Sequence, residues 1–394
     1  MVRFASFIAA LAVTTVPPPG SAPEVPEAPV TVPAGQAAAI VRFLGEQAAS
    51  AATSSAGTPT VVQHYLAQQL GAAAGPPFLF AEGDDRFFFR FNGGINVVGI
   101  VPGTDLQDQW VVVGARYDRL GACRPARDAA RVCNSAADNA AVAAVLQVAR
   151  AVAAEPNRRR SLLIALWDTA GDGNLGFDSY MANRLFRLDA TAAYVNLDVL
   201  GSAMSPALAT STMMVGAETG GKRLVEAATA AVSSTTLDVR SLSLRAGLGP
   251  AVPRQYLNAG VPTVTLTDGR SGCYHSVNDT AAGIDSAKLD EQSAIAARLT
   301  LELLNADKKP VLNPGAPQAT FADASAIHDM LTAATPDLTV TPELQAYDDA
   351  LAGSVAAGAD RFDAAASDSV LAGVPLVVEA VRSTGCPIGG STVG

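Results

Sequence analysis

Apolar residues along this chain fall into two patterns, short unbroken runs and longer segments with helical spacing. The runs at residues 110–115 and 162–167 show no polar alternation, which indicates strands buried on both faces of a parallel sheet. The segments 61–70 and 140–153 repeat apolar residues at the spacing of one helix face, as helices packed on such a sheet do. The patterns predict an α/β fold with a mixed, mostly parallel central sheet and helices on both faces.

The same patterns outline one large domain at residues 36–305 and a C-terminal extension at 306–394. In the domain, further strands are predicted at 96–103, 192–201, 207–216, 237–244 and 261–266, a hairpin turn at 92–94, and further helices at 37–49, 221–233 and 286–305. In the extension, a linker is predicted at 310–317, with helices at 322–333, 342–357 and 368–382. The extension carries no motif, so the sequence predicts a helical C-terminal appendage without indicating its role.

The N-terminus has the composition of an export signal. Arg3 precedes an apolar run at residues 4–13, and small residues follow at 20–22. This pattern predicts a signal peptide at residues 1–22 and export to the periplasm or the extracellular space, with an ordinary N-terminal helix as the alternative. Residues 23–35 are rich in proline and are predicted to form an extended linker.

Four cysteines agree with an oxidising compartment. A disulfide between Cys123 and Cys133 would hold the loop that precedes the helix at 140–153. The remaining pair, Cys273 and Cys386, would tie the C-terminal tail to the edge of the same region. Four cysteines allow three connectivities, and spacing alone does not choose among them.

The charge balance limits the classes of partner. The chain has 37 acidic and 27 basic residues and a net charge of −10, which disfavours nucleic acid and anionic membrane surfaces. After the signal, no stretch approaches the unbroken apolar length of a membrane helix. The sequence therefore predicts a protein that does not bind nucleic acid and has no membrane span.

One residue with useful chemistry follows a predicted strand. Asp138 stands at the start of the helix that follows the strand at 110–115. Because open α/β folds place ligand sites at the carboxyl edge of a parallel sheet, we expect Asp138 to lie at such a site.

Five separated segments resemble the motifs of a known family, in the same order. They are residues 96–103 (NVIGRLPG in the family), 114–121 (AHYDHLG), 134–140 (NGADDNASG), 192–201 (NLDMxG) and 272–280 (YHSxxDT). The family is that of the co-catalytic zinc aminopeptidases. It includes bacterial leucyl aminopeptidases, glutamate carboxypeptidase II and glutaminyl cyclases, and also transferrin receptor and nicastrin, which are not peptidases. The resemblance covers residues 36–305 and implies a zinc-exopeptidase-like fold.

The resemblance also implies a set of metal ligands, which this chain keeps only in part. Two zinc ions would share Asp138, one of them also bound by Asp198 and the residue at position 116, the other by His275 and the residue at position 171. The family's histidine at the first of these positions is Arg116, and its glutamate at the second is Gly171. Asp138, Asp198 and His275 are therefore the vestigial metal ligands, and each ion has lost one ligand.

The family's general base is missing as well. The resembled motif F-D-G-E-E holds the base and a zinc ligand in its two glutamates, and this chain has Ala170 and Gly171 there. No catalytic residue is therefore identified. The nearest carboxylates that could substitute are Asp168 and Asp172.

The arginine at position 116 suggests its own role. Arginine is always protonated and cannot ligate zinc, but it presents five donors to carboxylates. Two carboxylates without a cation would repel each other in the cleft. We therefore predict that Arg116 pairs with Asp198, Asp138 or both, and that Asp118 orients the guanidinium. The alternative is that Arg116 points to solvent from an eroded pocket.

These observations lead to three hypotheses of function. The first is an exported pseudopeptidase without a cofactor, which binds a peptide or protein in the former active-site cleft or acts as a scaffold. His275 would then be a hydrogen-bonded loop residue, with Asp279 as a partner. The alternative is an active zinc metallo-aminopeptidase in which Asp168 or Asp172 acts as ligand or base. A glutaminyl-cyclase-like enzyme with one zinc ion would also require the missing glutamates.

Overall fold

The computed structural model describes residues 34–48, 59–117, 135–168, 174–248, 254–315 and 318–384. The predicted signal peptide at 1–22 and most of the predicted linker at 23–35 lie outside these ranges. The described residues form one mixed sheet with helices on both faces, followed by helices at the C-terminal end. The predicted fold class is therefore confirmed.

Eight described strands form the sheet. They are β1 (Phe88–Phe91), β2 (Gly94–Val101), β3 (Leu106–Arg116), β4 (Arg160–Trp167), β5 (Thr191–Leu197), β6 (Ser211–Val215), β7 (Asp238–Leu242) and β8 (Thr263–Thr267). Their order in space is β1-β2-β4-β3-β5-β8-β6-β7. The central neighbours β4, β3, β5 and β8 are parallel, as are β6 and β7, and the other pairs are antiparallel. Four carboxyl ends therefore meet at one edge in the middle of the sheet.

Ten α-helices are described. They are α1 (Gln36–Ala48), α2 (Val61–Gly71), α3 (Ala136–Ala154), α4 (Leu175–Ala182), α5 (Gly221–Val232), α6 (Arg254–Asn258), α7 (Ser286–Asn305), α8 (Phe321–Ala334), α9 (Pro342–Ala357) and α10 (Ala364–Ser383). The start of α2 carries a capping box in which Thr60 and Gln63 exchange hydrogen bonds. Such a box satisfies amide groups that the first turn leaves unpaired.

The two faces of the central strands belong to different apolar cores. Val111 and Val113 of β3 pack with the core that includes α1, α3 and α7. Val112 faces the opposite core, with Trp167 of β4 and residues of α4 and α6. Successive side chains of a strand alternate between faces. The unbroken apolar runs in the sequence therefore reflect a sheet that is covered on both sides.

The C-terminal helices α8, α9 and α10 pack on the end of the sheet that carries β6 and β7. Their apolar side chains share one core with Met213 and Val215 of β6 and with Leu242 of β7. Within this unit, Gly373 of α10 lies against Tyr347 of α9, where an added Cβ atom would be 2.0 Å from the ring. The predicted helical appendage is therefore docked on the main domain.

Some elements differ from the predicted ones. The strand predicted at 207–216 is shorter, because a 3₁₀ turn at Pro206–Leu208 precedes β6. The short helices α4 and α6 were not predicted; each has too few residues to show a helical period. Two described helices, α3 and α10, have the length and apolar content of a membrane span, and 89% and 33%, respectively, of their most apolar window is buried inside the protein.

Candidate ligand site at the carboxyl edge of the sheet

The expected site residues converge at the carboxyl edge of the parallel strands. Arg116 is the last residue of β3, and Asp138 lies in the first turn of α3. Asp198 directly follows β5, and His275 lies in the loop after β8. The structure therefore brings together four of the five residues proposed from the sequence. The fifth, Asp118, lies outside the described residues.

The guanidinium of Arg116 lies between the two aspartates. Its Nη2 atom is 3.1 Å from Oδ1 of Asp198 and 3.4 Å from Oδ1 of Asp138. The aspartate side chains are only 8% exposed, while that of Arg116 is 25% exposed. The predicted ion pair is thus confirmed, and it includes both carboxylates. One cation neutralises charge that burial would otherwise make costly.

Tyr274 is a further member of this cluster that the sequence analysis missed. Its hydroxyl accepts a hydrogen bond from Nη2 of Arg116 at 3.0 Å and donates one to Oδ1 of Asp138 at 3.1 Å. The tyrosine ring stacks on the ring of His275, with centroids 3.7 Å apart, and the guanidinium of Arg270 lies 5.0 Å from its centroid. Its position beside the motif histidine was the available signal.

His275 is held at both its ring and its main chain. Nε2 lies 2.7 Å from Oδ2 of Asp138, and the backbone N–H donates to Oδ2 of Asp279 at 3.2 Å. The other oxygen of Asp279 accepts the N–H of Ala137 at 3.1 Å. Asp279 therefore joins the histidine loop to the start of α3. The expected contact between His275 and Asp279 is confirmed, and it runs through the main chain.

The charges in the cluster shift the carboxylate pKa values in different directions. Burial raises the pKa of Asp198, and the charge of Asp138 adds to this, while Arg116 and Arg270 oppose it. Burial acts on Asp138 too, but hydrogen bonding from His275 and the charge of Arg116 outweigh it, so the pKa of Asp138 is lowered. Burial also raises the pKa of Asp279 to about 6. Asp138 is therefore the carboxylate most strongly held in its charged form.

Two residues of the site have strained backbones. Val199, next to Asp198, has a φ of 52°, and His275 has a φ of 58°. Left-handed backbone is uncommon for residues other than glycine, and for a β-branched residue it is a clear outlier. Such strain costs about 1–3 kcal/mol per residue and persists where the surrounding structure enforces it. The local packing therefore fixes the positions of Asp198 and His275.

Asp168, one of the two suggested substitute ligands, is held by other groups. Its Oδ2 accepts hydrogen bonds from the N–H of Ile95 at 2.9 Å and from Nε2 of Gln63 at 3.3 Å. These partners belong to β2 and α2, not to the Arg116 cluster. The other suggested substitute, Asp172, lies outside the described residues, as do the positions of the missing glutamates, Ala170 and Gly171.

A cavity of about 450 Å³ adjoins the cluster. Val199, Tyr274 and Asp279 form part of its wall on the cluster side. Cys273, which is disulfide-bonded, and Thr384 at the end of the C-terminal helices also line it. The other three cysteines lie outside the described residues, so the predicted disulfide pairing is not tested. The site therefore consists of a charged cluster beside a cavity of a size that encloses small ligands.

Comparison with known proteins identifies the family. Residues 96–300, more than half of the chain, match Peptidase family M28. The chain belongs to peptidase family M28. The family resemblance predicted from the sequence is thereby confirmed, although the chain matches no curated protein.

Solved aminopeptidase structures are similar to this chain, and one of them has a TM-score above 0.5. The LapA aminopeptidase of Legionella pneumophila is 13% identical with a TM-score of 0.52, over 69% of this chain and 73% of that one. An aminopeptidase from Aneurinibacillus sp. strain AM-1 is 19% identical, over 56% of this chain, with a TM-score of 0.44. BSAP, a zinc aminopeptidase from Bacillus subtilis, is 16% identical, over 57% of this chain, with a TM-score of 0.45. This chain spans 50% and 54% of the last two proteins.

The described donor set does not fit a pair of zinc ions. Zinc sites need several carboxylate, imidazole or thiolate ligands around each ion. In this M28 protein, the space between Asp138 and Asp198 is taken by the guanidinium of Arg116, and Tyr274 donates to Asp138. Among the described residues, no group of three or more histidine, cysteine, aspartate or glutamate side chains could hold a metal ion.

Proposed function

We propose that this protein is an exported pseudopeptidase, which has replaced the metal centre of its family by an internal ion pair and binds a peptide or protein in the former active-site cleft. The observation that carries this proposal is the contact of one Arg116 atom with both Asp138 and Asp198. The guanidinium supplies fixed positive charge where two acidic ligands of the family converge. A metal ion would have to displace it and would add to its charge.

The residues that stand in place of the family's two glutamates support the loss of peptidase activity. A metallopeptidase needs a group that takes a proton from the attacking water. Alanine and glycine, at positions 170 and 171, carry no group able to accept a proton or bind an ion. Tyr274 cannot replace the base, because burial and the neighbouring aspartates raise its pKa far above neutrality.

A binding role is supported by what the site retains. The backbone strain at Val199 and His275 is of the kind that clusters at functional sites. A cavity adjoins the cluster, and the side chain of Arg116 is 25% exposed although the two carboxylates that it contacts are nearly buried. Export is supported by the N-terminal pattern of the sequence and by the disulfide at Cys273.

The test is zinc content per chain after incubation with excess zinc and desalting. We expect the full-length protein to retain less than about 0.1 zinc ion per chain, since a site short of ligands loses most of its affinity. The variant Arg116→His restores the family's ligand at that position, and the double variant with Gly171→Glu restores both. We expect retention to rise in that order. Stoichiometric zinc in the unchanged protein, lost in Asp138→Ala, would refute the proposal.

The alternative function is an active metallo-aminopeptidase with an atypical ligand set. It is favoured by the convergence of Asp138, Asp198 and His275, three positions that are ligands in the resembled family. It requires zinc as cofactor and a base supplied by Asp168 or Asp172. Chelator-sensitive cleavage of aminoacyl p-nitroanilides that is abolished by Asp172→Asn or Asp168→Asn would support this alternative over the pseudopeptidase.

A further inference from the structure

Arg270 lies beside the charged cluster and does not use its hydrogen-bond donors. It stands in the loop after β8, is half-buried, and places its guanidinium 5.0 Å from the ring centroid of Tyr274. Its Nε atom is buried, and neither Nε nor the two Nη atoms have a hydrogen-bond partner among the residues that the structure describes. The two Nη atoms remain accessible. A guanidinium presents five N–H donors, and here all of them are unused.

This lack of partners distinguishes Arg270 from comparable arginines. Every other arginine that the structure describes as buried or half-buried donates at least one hydrogen bond. Apart from Arg116, these are Arg150, Arg158, Arg159, Arg160, Arg240 and Arg298. Folded proteins pair nearly all polar groups that they remove from water. Arg270 therefore has donors available for a ligand.

The backbone around Arg270 is firmly held. Asp268 forms a buried ion pair with Lys288, 3.0 Å apart, and its N–H donates to the carbonyl of Val199 at 2.8 Å. Gly269 has a φ of 74°, and an added Cβ atom there would lie 2.7 Å from a neighbouring side chain. The loop therefore presents the guanidinium from a defined position, as a binding group requires.

The charges nearby favour a ligand with a single negative charge. Burial raises the pKa of Asp198, and the charges of Arg116 and Arg270 oppose that rise, so Arg270 lies within electrostatic reach of the cluster. A carboxylate has two oxygens in one plane and matches the planar donors of a guanidinium. The second charge of a phosphate dianion would be repelled by Asp138 and Asp198. The chemistry therefore favours a carboxylate.

We propose that the accessible Nη atoms of Arg270 bind a carboxylate group of the peptide that occupies the former active-site cleft. The proposal rests on the proposed function and deepens it, because it names the chemical group by which the cleft recognises its ligand. Residues 271–274, which directly follow Arg270, line the cavity beside the cluster. The rest of a peptide held at Arg270 can therefore reach that cavity.

The test is binding of small peptide carboxylates, followed by NMR through the backbone amide signals of residues 271–274 in buffer that contains EDTA. The probes are N-acetylglycylglycine with a terminal carboxylate, N-acetylglutamate α-amide with a side-chain carboxylate, and N-acetylglycylglycine amide with neither. We expect the better carboxylate probe to bind at least about tenfold more tightly than the amide, and its identity distinguishes a chain terminus from an acidic side chain. Equal binding of the carboxylates and the amide would overturn the proposal.

Variants at Arg270 separate ligand binding from structural support of Tyr274. Arg270→Gln should remove the difference in affinity between the carboxylate and amide probes. Arg270→Lys keeps the charge without the planar fork, should leave a smaller difference, and covers the case in which Arg270→Gln does not fold. Arg223→Gln is the matched control, since it removes an exposed arginine of α5, and should leave the difference unchanged. A residue that only supports the tyrosine ring would not change this ratio of affinities, so an unchanged ratio in both Arg270 variants would also overturn the proposal.

The chelator distinguishes failure of this inference from failure of the proposed function. Carboxylate binding that is absent in EDTA and restored by zinc would place the anion on a metal ion, and would refute both the binding by Arg270 and the metal-free site. Carboxylate binding that persists in EDTA but does not respond to the Arg270 variants would refute only the role of Arg270.

Discussion

Removal of the Arg116 guanidinium should destabilise the protein strongly and in a pH-dependent way. In Arg116→Ala, Asp138 and Asp198 would remain buried and adjacent without the cation that now contacts both. At distances of 3.1 and 3.4 Å and an effective dielectric constant near 20, each contact is worth roughly 5 kcal/mol before desolvation is subtracted. Losing one partner of a buried ion pair typically costs about 3–5 kcal/mol net, which is the expected loss near pH 8.

The loss of stability in Arg116→Ala should become smaller as the pH falls. Burial already raises the pKa of Asp198 while Arg116 opposes the shift, so removal of Arg116 must raise that pKa further. A carboxyl whose folded pKa lies above its unfolded value destabilises the fold increasingly as the pH rises from the unfolded to the folded pKa, and this penalty is absent below the unfolded pKa. Towards pH 4, close to the ordinary pKa of an aspartate, the variant should therefore regain a large part of the lost stability.

Urea unfolding of both proteins between pH 4 and pH 8 measures this difference. Arg159→Ala is the matched control, because Arg159 pairs with Asp105 and Asp307 at the surface, and exposed pairs contribute about 0–1 kcal/mol. The double variant Arg116→Met/Asp198→Asn should recover part of the loss, since it removes one of the uncompensated charges. If Arg116→Ala is within 0.5 kcal/mol of the unchanged protein at pH 8, about the effect of an ordinary surface substitution, the ion pair does not neutralise the buried carboxylates as described.

Three further substitutions and one control, each measured by urea unfolding, probe other contacts of the structure. Tyr274→Phe removes a hydroxyl that donates to a buried carboxylate and should cost about 1–3 kcal/mol; a neutral result would show that water replaces the phenol. Glu218→Gln should stabilise by about 1–2 kcal/mol at pH 8 and by little at pH 4, because burial raises the pKa of Glu218 to about 7, so the penalty for its charge grows between the ordinary glutamate pKa and that value and is complete above it. Gly373→Ala should destabilise the protein by about 3 kcal/mol or more, because the new methyl group would overlap the ring of Tyr347. The control Gly353→Ala meets no atom within 4 Å and should be neutral or stabilising by up to about 1 kcal/mol. Equal effects of the two substitutions would contradict the described packing of α9 and α10.

The fold was predictable from the sequence because its central strands are buried on both faces. Residues 110–115 and 162–167 are apolar without alternation, and few environments other than a covered parallel strand explain such short runs. The order of the strands in the sheet could not be predicted from the sequence. The antiparallel pairing of β6 with β8 joins segments far apart in the chain, and no local pattern specifies that pairing.

The candidate site could be predicted at positions where both the charge of the side chain and the order of the family motifs indicated a role. Opposite charges at the ends of neighbouring strands led to the pairing of Arg116 with Asp138 and Asp198. Tyr274 was missed because its residue type does not reveal that its hydroxyl bridges Arg116 and Asp138. The burial of Lys288 against Asp268, 3.0 Å apart, was equally invisible, since lysine in a helix usually faces solvent.

The ion pair at Arg116 has a consequence for how this protein depends on its surroundings. A bound metal stabilises a fold by mass action, so stability then follows the concentration of free metal. A guanidinium belongs to the chain itself, and one is present in every copy from the moment of synthesis. Its charge cannot be removed by a chelator or lost to a competing protein, and arginine stays protonated across the physiological pH range. The cluster is therefore complete in any compartment, however scarce zinc is there.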